Sequence, residues 1–323
     1  MAAQDQKPIG SGFGGKTTAS EVLAGIDLTG RNAIVTGGYS GIGLETVRAL
    51  AVAGARVTVP ARRVEVAEDT LADVAGDIEI ASMDLADLRS VDKFTREYDE
   101  TKRGLDILIN NAGIMACPEG RVGPGWERQF GTNHLGHMAM SLALAPSMQR
   151  ADSARVVCLS STGHVRSDVH WDDPHFNNTP YDKWDAYGQA KSANALFALG
   201  VDHRGRDVGV RAFSVHPGGI FTPLQRHLSE EEMVQLGWKA PDGSIPPQVQ
   251  AMFKTPEQGA STSVWAATSP QLNGHGGVYC EDCDIAKLAD ENSQRWEHAR
   301  AWICDDEKAE RLWTMSEKML ADA

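Results

Sequence analysis

Cysteine is scarce in this 323-residue chain: Cys117, Cys158, Cys280, Cys283 and Cys304 are all it has. An odd, scattered set fits a reducing cytosol better than a disulfide framework, so the cytoplasm is the expected compartment. Cys280 and Cys283 form a C-x-x-C. With no second pair and no histidine at a ligand spacing, they read as incidental thiols. Positive charge is also short. Lys and Arg number 31 against 44 Asp and Glu, for a net charge of −13. The acids are spread along the chain, which argues against nucleic acid as a partner. An anionic ligand would need a local basic pocket. No apolar run approaches the length of a membrane span. The first residues, MAAQDQKPIGSGFGGKTTAS, have no apolar core and do not read as a secretory signal. A hydrophobic fraction of 41% is ordinary for a globular chain with a substantial core. Nothing fixes the oligomeric state; a homo-oligomer is compatible with the sequence.

Residues 1–25 read as a flexible arm. They contain GSGFGGKT at 10–17, which satisfies G-x-x-x-x-G-K-[ST]. A phosphate-binding loop of that kind needs a buried strand before it, and MAAQDQKPI cannot form one. From Arg31 short apolar runs alternate with amphipathic segments. Strands are expected at 32–37, 55–61, 77–84, 105–113, 154–161 and 208–218, with a short seventh at 276–280. Helices are expected at 42–53, 64–74, 88–102 and 126–148, and again from 185. Strands separated by helices of this length imply right-handed crossovers and a parallel sheet covered on both faces. The expected fold is α/β, a doubly wound Rossmann sheet of about seven strands. It forms one domain over 26–283 with a C-terminal helical extension over 284–323. The proline-bearing stretch 221–256 follows a strand end, where a substrate loop would sit.

Two constellations carry chemistry. TGGYSGIG at 36–43 lies between the first strand and the first helix. Gly37, Gly41 and Gly43 let the backbone turn tightly and approach a pyrophosphate, and the helix start adds free N–H groups and partial positive charge. Further on, DAYGQAKSANALF sets Tyr187 and Lys191 on one helix face, one turn apart. A free tyrosine has a pKa of about 10, and a fixed positive charge nearby lowers it. Such a pair can exchange a proton with an alcohol or carbonyl near neutral pH.

The spacing T-G-x-x-x-G-x-G, with NNAG at 110–113, Asn133, Ser161 and Tyr187-x-x-x-Lys191, resembles the short-chain dehydrogenase/reductase family. The resemblance covers about residues 30–283. YGQAKSANALF, the long interval from Ser161 to Tyr187, TPEQGASTSVWAATSP and GGVYCEDC resemble its retinol-dehydrogenase-like and WW-domain-oxidoreductase-like branch. The resemblance implies that Gly37, Tyr39, Ser40, Gly41, Ile42 and Gly43 hold a dinucleotide. It implies that Asp84 and Leu85 flank the adenine, and that Asn111, Ala112 and Gly113 line the cofactor path. It makes Tyr187 the acid/base and Ser161 its partner on the substrate oxygen, with Ser160 the alternative. Lys191 would lower the tyrosine pKa and hold the nicotinamide ribose. Asn133 would interrupt the long helix and anchor a water leading to the lysine. HPGGIFT at 216–222 resembles the family's P-G-x-x-x-T, so Pro217, Gly218, Ile220 and Thr222 would border the nicotinamide. Thr222 is equally placed to cap a helix.

The second strand ends at Ala61, where an acid would bind the ribose 2′-hydroxyl of NAD. This chain has Arg62 and Arg63 next instead, which suits the 2′-phosphate of NADP(H). His134 and His137 are three apart, but with no third ligand in sight no metal is expected. Met115, Trp171, Phe176, Trp184, Phe221, Leu224, Trp238 and Phe253 are candidates for an apolar pocket suited to a lipophilic ketone, aldehyde or secondary alcohol, steroid- or retinoid-like. The expected activity is NADP(H)-dependent alcohol dehydrogenase or carbonyl reductase. Three other readings compete with it. A non-catalytic NADP(H)-binding regulatory protein would be marked by loss of Tyr187 or Lys191, and both are present. A P-loop ATPase built on 10–17 lacks its strand. A sugar-nucleotide epimerase or dehydratase would need a larger substrate domain than the residues after Thr222 supply.

Overall fold

The computed structural model describes residues 5–294 and 296–323. Eight strands form the main sheet: β1 (Asn32–Val35), β2 (Arg56–Ala61), β3 (Asp77–Ser82), β4 (Ile107–Asn110), β5 (Ala154–Leu159), β6 (Val210–His216), β7 (Val278–Glu281) and β8 (Asp284–Ile285). Their lateral order is β8-β7-β6-β5-β4-β1-β2-β3. All pairs are parallel except β7 with β8. The sheet therefore has one strand more than the sequence suggests. β8 folds back through Asp282 and Cys283, whose φ angles are 51° and 60°. Two consecutive left-handed residues match the twist of a tight hairpin, but with no glycine there the turn leaves no sequence signal.

Neighbouring side chains on a strand point to opposite faces, so Ile34 and Val35 enter different cores. On one face, α1 (Gly41–Val52), α2 (Val64–Leu71) and α6 (Pro256–Thr268) bury Val47, Leu50, Leu71, Val264 and Trp265. On the other, α3 (Leu88–Glu100), α4 (Gly136–Ala143) and α5 (Lys183–Gly205) bury Phe94, Met138, Leu196 and Leu199. From β1 the chain winds outward to β3, then returns to β4 and winds the other way. A crevice opens at such a switch point, beyond the carboxyl ends of β1 and β4.

Two expectations are corrected. The helix over 126–148 is broken. A two-residue hairpin pairs Arg121–Val122 with Trp126–Glu127, a π-turn spans Gly131–Leu135, and Ala145–Gln149 is a separate turn with Pro146 near its start. Proline lacks the N–H that would continue the ladder. Residues 5–25 are packed on the domain. The Gln6 amide, 2% exposed, donates to Tyr279 O and Ala286 O at 2.6 and 2.7 Å and accepts from Tyr279 N at 2.9 Å. It thus acts as an extra peptide group at the sheet edge. The 10–17 segment is held within the fold by its own contacts. Its neighbour Ile9 and its own Gly10 and Ser11 direct their N–H groups to the Asp284 carboxylate, and Lys16 Nζ donates to Phe253 O at 2.7 Å. Its anion is internal, and among the described residues no strand precedes it.

The extension ends in α7 (Asp306–Ala321), which lies on α5. Trp313 stacks on Phe197 with centroids 5.8 Å apart, and the Arg204 guanidinium sits 4.0 Å from the Trp313 ring. Trp302 donates to Ser192 at 3.2 Å, while Trp296 is exposed. Among the described residues no helix is long and apolar enough to cross a membrane.

Three imidazoles are buried: His134, His137 and His164. Burial pushes them down to about 3, 4 and 4. Unfolded histidine titrates near 6.5, so in the window below that value the unfolded chain binds protons that the native chain does not. Stability is therefore full above about pH 6.5 and falls as the pH drops toward 4. Each ring contributes roughly 1.4 kcal/mol per pH unit there. The urea midpoint should fall steadily from about pH 7 to about pH 5; a flat midpoint would show that these rings charge freely in the native state.

Candidate active site

The crevice is a cleft of about 470 Å³. Every residue expected at the cofactor lines it, from Gly37 to Thr222, as do Ser161, Tyr187 and Lys191. Asn133 does not; it stands behind the wall.

The floor is built around Thr36, at the end of β1. Its hydroxyl receives the N–H groups of Asn111 and Ala112, both at 2.9 Å. The Asn111 side chain donates to Thr36 O at 2.7 Å. These bonds dock the NNAG turn against the glycine loop. Gly37 and Gly41 have φ of 64° and 51°, a region that side chains other than glycine rarely adopt. A Cβ at Gly43 would overlap the Gly37 carbonyl oxygen and the Asn111 side-chain nitrogen. Ser40 precedes α1 without a side-chain cap, so the first-turn N–H groups face the cleft with no cap in the way. This cradle fits a pyrophosphate.

Arg62 and Arg63 are exposed at the cleft edge, and neither forms an ion pair among the described residues. Among the described residues Asp84 is the one carboxylate in the lining. It accepts from Ala86 N at 2.9 Å, and its own N–H donates to Ser90 at 2.9 Å, which pins the turn after β3.

At the other end of the cleft, α5 carries the Tyr–Lys pair. Asp182 caps it by accepting from Trp184 N and Asp185 N, both at 2.8 Å. Tyr187 is 4% exposed, and its hydroxyl faces Ser161. Burial pushes it up to about 12, opposed by the Ser161 hydroxyl. Ser161 also receives Gly163 N at 3.0 Å. Ser160 faces away and donates to Lys191 O at 2.8 Å, so strand alternation selects Ser161. Lys191 donates to Leu159 O at 2.9 Å and is pushed down to about 8 by burial. Its ammonium lies 5.6 Å from the Tyr187 ring centre. Spacing alone would have Lys191 depress the tyrosine pKa; in this structure burial is the leading influence on both groups, and the ammonium is turned to a carbonyl.

Asn133 sits in the π-turn, the kind of insertion that re-aims a side chain inside a helix. Its amide clasps Ile114, accepting from the N–H and donating to the carbonyl, both at 2.9 Å. A Cβ on Gly113 would lie 3.4 Å from Asn133 Oδ1 and 3.7 Å from Lys191 Nζ. Gly113 therefore stands between the two. Gly218 has φ of 101° and packs against Lys254. Thr222 caps the Pro223–Gln225 turn and packs against Gly41, so it serves the turn while bordering the cleft.

The stretch 221–256 forms three short helical turns, Pro223–Gln225, Glu230–Gln235 and Pro247–Met252. Its Leu224, Leu228, Met233 and Trp238 pack with Met115, Trp184 and Tyr187 in one apolar cluster. Of the candidate pocket side chains, Met115, Leu224, Trp238 and Phe253 line the cleft. Phe221 packs on Phe253 at 4.7 Å, while Trp171 lies under Arg311 and Phe176 under Tyr181. Thr36, Thr132 and Arg226 line the cleft without having been singled out. Thr36 was legible as the first letter of the glycine motif; the other two carry no signal. Among the described residues no three His, Cys, Asp or Glu side chains gather to hold a metal ion.

A nucleotide cradle, an NNAG turn docked on it and a Ser–Tyr–Lys set at one switch point define a class of dinucleotide-dependent oxidoreductases. The chain belongs to the short-chain dehydrogenase family, whose model matches residues 31–233. It is 45% identical to a "Probable oxidoreductase" of Streptomyces lividans, over 89% of this chain and 97% of that one. It is 32% identical to retinol dehydrogenase 12 of Mus musculus, over 91% of this chain and 88% of that one, which places it with the retinol-dehydrogenase-like branch. Among solved structures, an uncharacterised protein from Mycobacterium paratuberculosis superposes with a TM-score of 0.71 at 29% identity, over 94% of this chain and 97% of that one. The family uses nicotinamide cofactors.

Proposed function

We propose that this protein is an NADP(H)-dependent alcohol dehydrogenase or carbonyl reductase acting on a lipophilic small molecule, in the cytoplasm. One observation carries the reading. The Tyr187 hydroxyl, facing Ser161, lies where the dinucleotide cleft meets the apolar cluster of the substrate loop.

The nicotinamide cofactor, when bound, supplies or accepts the hydride. The protein handles the proton. With its pKa near 12, Tyr187 rests protonated and is ready to donate to a carbonyl oxygen during reduction. Ser161 gives that oxygen a second hydrogen-bonding partner as negative charge develops. Burial brings Lys191 down to about 8, and its ammonium, held by Leu159 O, lies 5.6 Å from the Tyr187 ring centre. Asn133 holds the Ile114 backbone and, past Gly113, one wall beside Lys191. Met115, Leu224 and Trp238 suit an apolar substrate and keep water from the reacting oxygen. Five buried free cysteines support a reducing compartment.

Arg62 and Arg63 support NADP(H) over NAD(H). They stand after β2 where an acid would otherwise meet the ribose, and among the described residues no carboxylate pairs with them. Arg62→Ala should weaken NADPH binding by about tenfold or more, as expected for a charged hydrogen bond, and leave NADH binding nearly unchanged. Calorimetric titration of both cofactors checks this. NADH binding to the wild type as tightly as NADPH would refute the assignment.

A further inference from the structure

We propose that His137 is a positioning residue that ties the Asn133 turn to the glycine loop through one fixed tautomer. This rests on the cleft being the dinucleotide site.

His137 lies on α4, one turn after Asn133, and is 2% exposed. Its Nδ1 is 2.8 Å from Asn133 O. A carbonyl only accepts, so Nδ1 carries the proton. Its Nε2 is 2.8 Å from Thr36 Oγ1. That oxygen already receives two N–H groups, from Asn111 and Ala112. Both of its lone pairs are therefore in use, and its own hydrogen must point elsewhere. The alternative acceptor, Ile109 O, is 3.4 Å away. The hydroxyl thus donates to His137 Nε2, which must be unprotonated. Burial holds the ring neutral, as this arrangement needs.

The bonds close a ring behind the cleft floor. Thr36 holds the start of the turn at 111–114, Asn133 holds its end at Ile114, and His137 joins the two holders. The turn cannot shift against β1, nor Asn133 against the glycine loop, without breaking a buried hydrogen bond. His137 so couples the cofactor floor to the wall beside Lys191. It touches neither the cleft surface nor, by its position, a substrate.

Three substitutions separate the two links. In His137→Asn the amide reaches the position of Nδ1, so the bond to Asn133 O survives and that to Thr36 is lost. In His137→Gln the amide reaches the position of Nε2 and the opposite holds. His137→Phe keeps the ring volume and loses both. His137→Asn should weaken NADPH binding in calorimetry about fivefold, the worth of one buried hydrogen bond, with kcat the lesser change. His137→Gln should lower kcat by a similar factor with the NADPH Kd the lesser change. His137→Phe should show both losses. A merely structural histidine would lower Tm in all three and leave Kd and kcat of the folded fraction moving together, which would overturn the proposal. Nitrogen-15 NMR of the cofactor-free wild type gives a readout that does not depend on turnover. It should show a neutral His137 protonated on Nδ1; a proton on Nε2 would overturn the inference even if the cleft proved to bind no dinucleotide.

Discussion

Tyr187→Phe should lower turnover by about 10²–10⁴-fold, the worth of a positioned general acid, while the NADPH Kd stays within about twofold of wild type. The substitution removes one oxygen and nothing else. The ring still packs against Gly163 and the apolar cluster of Met115, Ala116 and Leu228. Ser161 keeps its bond from Gly163 N, so no buried N–H donor is orphaned. The thermal midpoint should therefore move little. Loss of rate without loss of fold or cofactor would isolate the proton step. A variant keeping more than about a tenth of the wild-type kcat would fall short of that range. It would mean another group gives the proton, and Ser161, in direct contact with the hydroxyl, would be the first to test.

Gly43→Ala should be the most damaging single methyl on the cofactor side. The added carbon would overlap the Gly37 carbonyl oxygen and the Asn111 side-chain nitrogen, and lie 2.9 Å from the Gly37 carbonyl carbon. None of these is the free end of a flexible chain. The Asn111 nitrogen is held to Thr36 O at 2.7 Å. Something in the loop must move, at a cost of roughly 1–3 kcal/mol. The movement takes the first-turn N–H groups away from a phosphate. NADPH affinity should drop by about 100-fold, equal to about 2.7 kcal/mol, with a Tm lower by several degrees. Gly14→Ala is the control. It lies in the other glycine-rich stretch, with nothing within 4 Å of its added carbon, and should leave NADPH binding unchanged. Weakened nucleotide binding in that control would revive the 10–17 segment as a site.

The parts legible in the sequence were those set by local rules. The glycines at 37, 41 and 43 mark a turn that only glycine permits, and Tyr187 and Lys191 mark one helix face. The alternation of strands and helices gave the sheet, because each parallel crossover needs its helix. What escaped depends on distant partners. The π-turn at Gly131–Leu135 leaves apolar periodicity nearly intact, so 126–148 reads as one helix. Gln6 is polar yet buried, because it completes the hydrogen bonds of a sheet edge more than 270 residues away. His137 stood out in the sequence only by its spacing from His134, where no metal is expected. Its actual partner, Thr36, lies 101 residues upstream. Spacing likewise places Lys191 one turn from Tyr187 but does not reveal that its ammonium turns to Leu159 O.

The most direct test of hydride transfer is to mix the protein with NADPH carrying deuterium on the transferring face of C4, together with a panel of lipophilic ketones and aldehydes, retinal- and steroid-like compounds included. Products are then read by mass spectrometry. The account predicts an alcohol with one deuterium on the former carbonyl carbon from wild type, and none from Tyr187→Phe under the same conditions. Tight NADPH binding with no deuterium delivered to any member of the panel would contradict it.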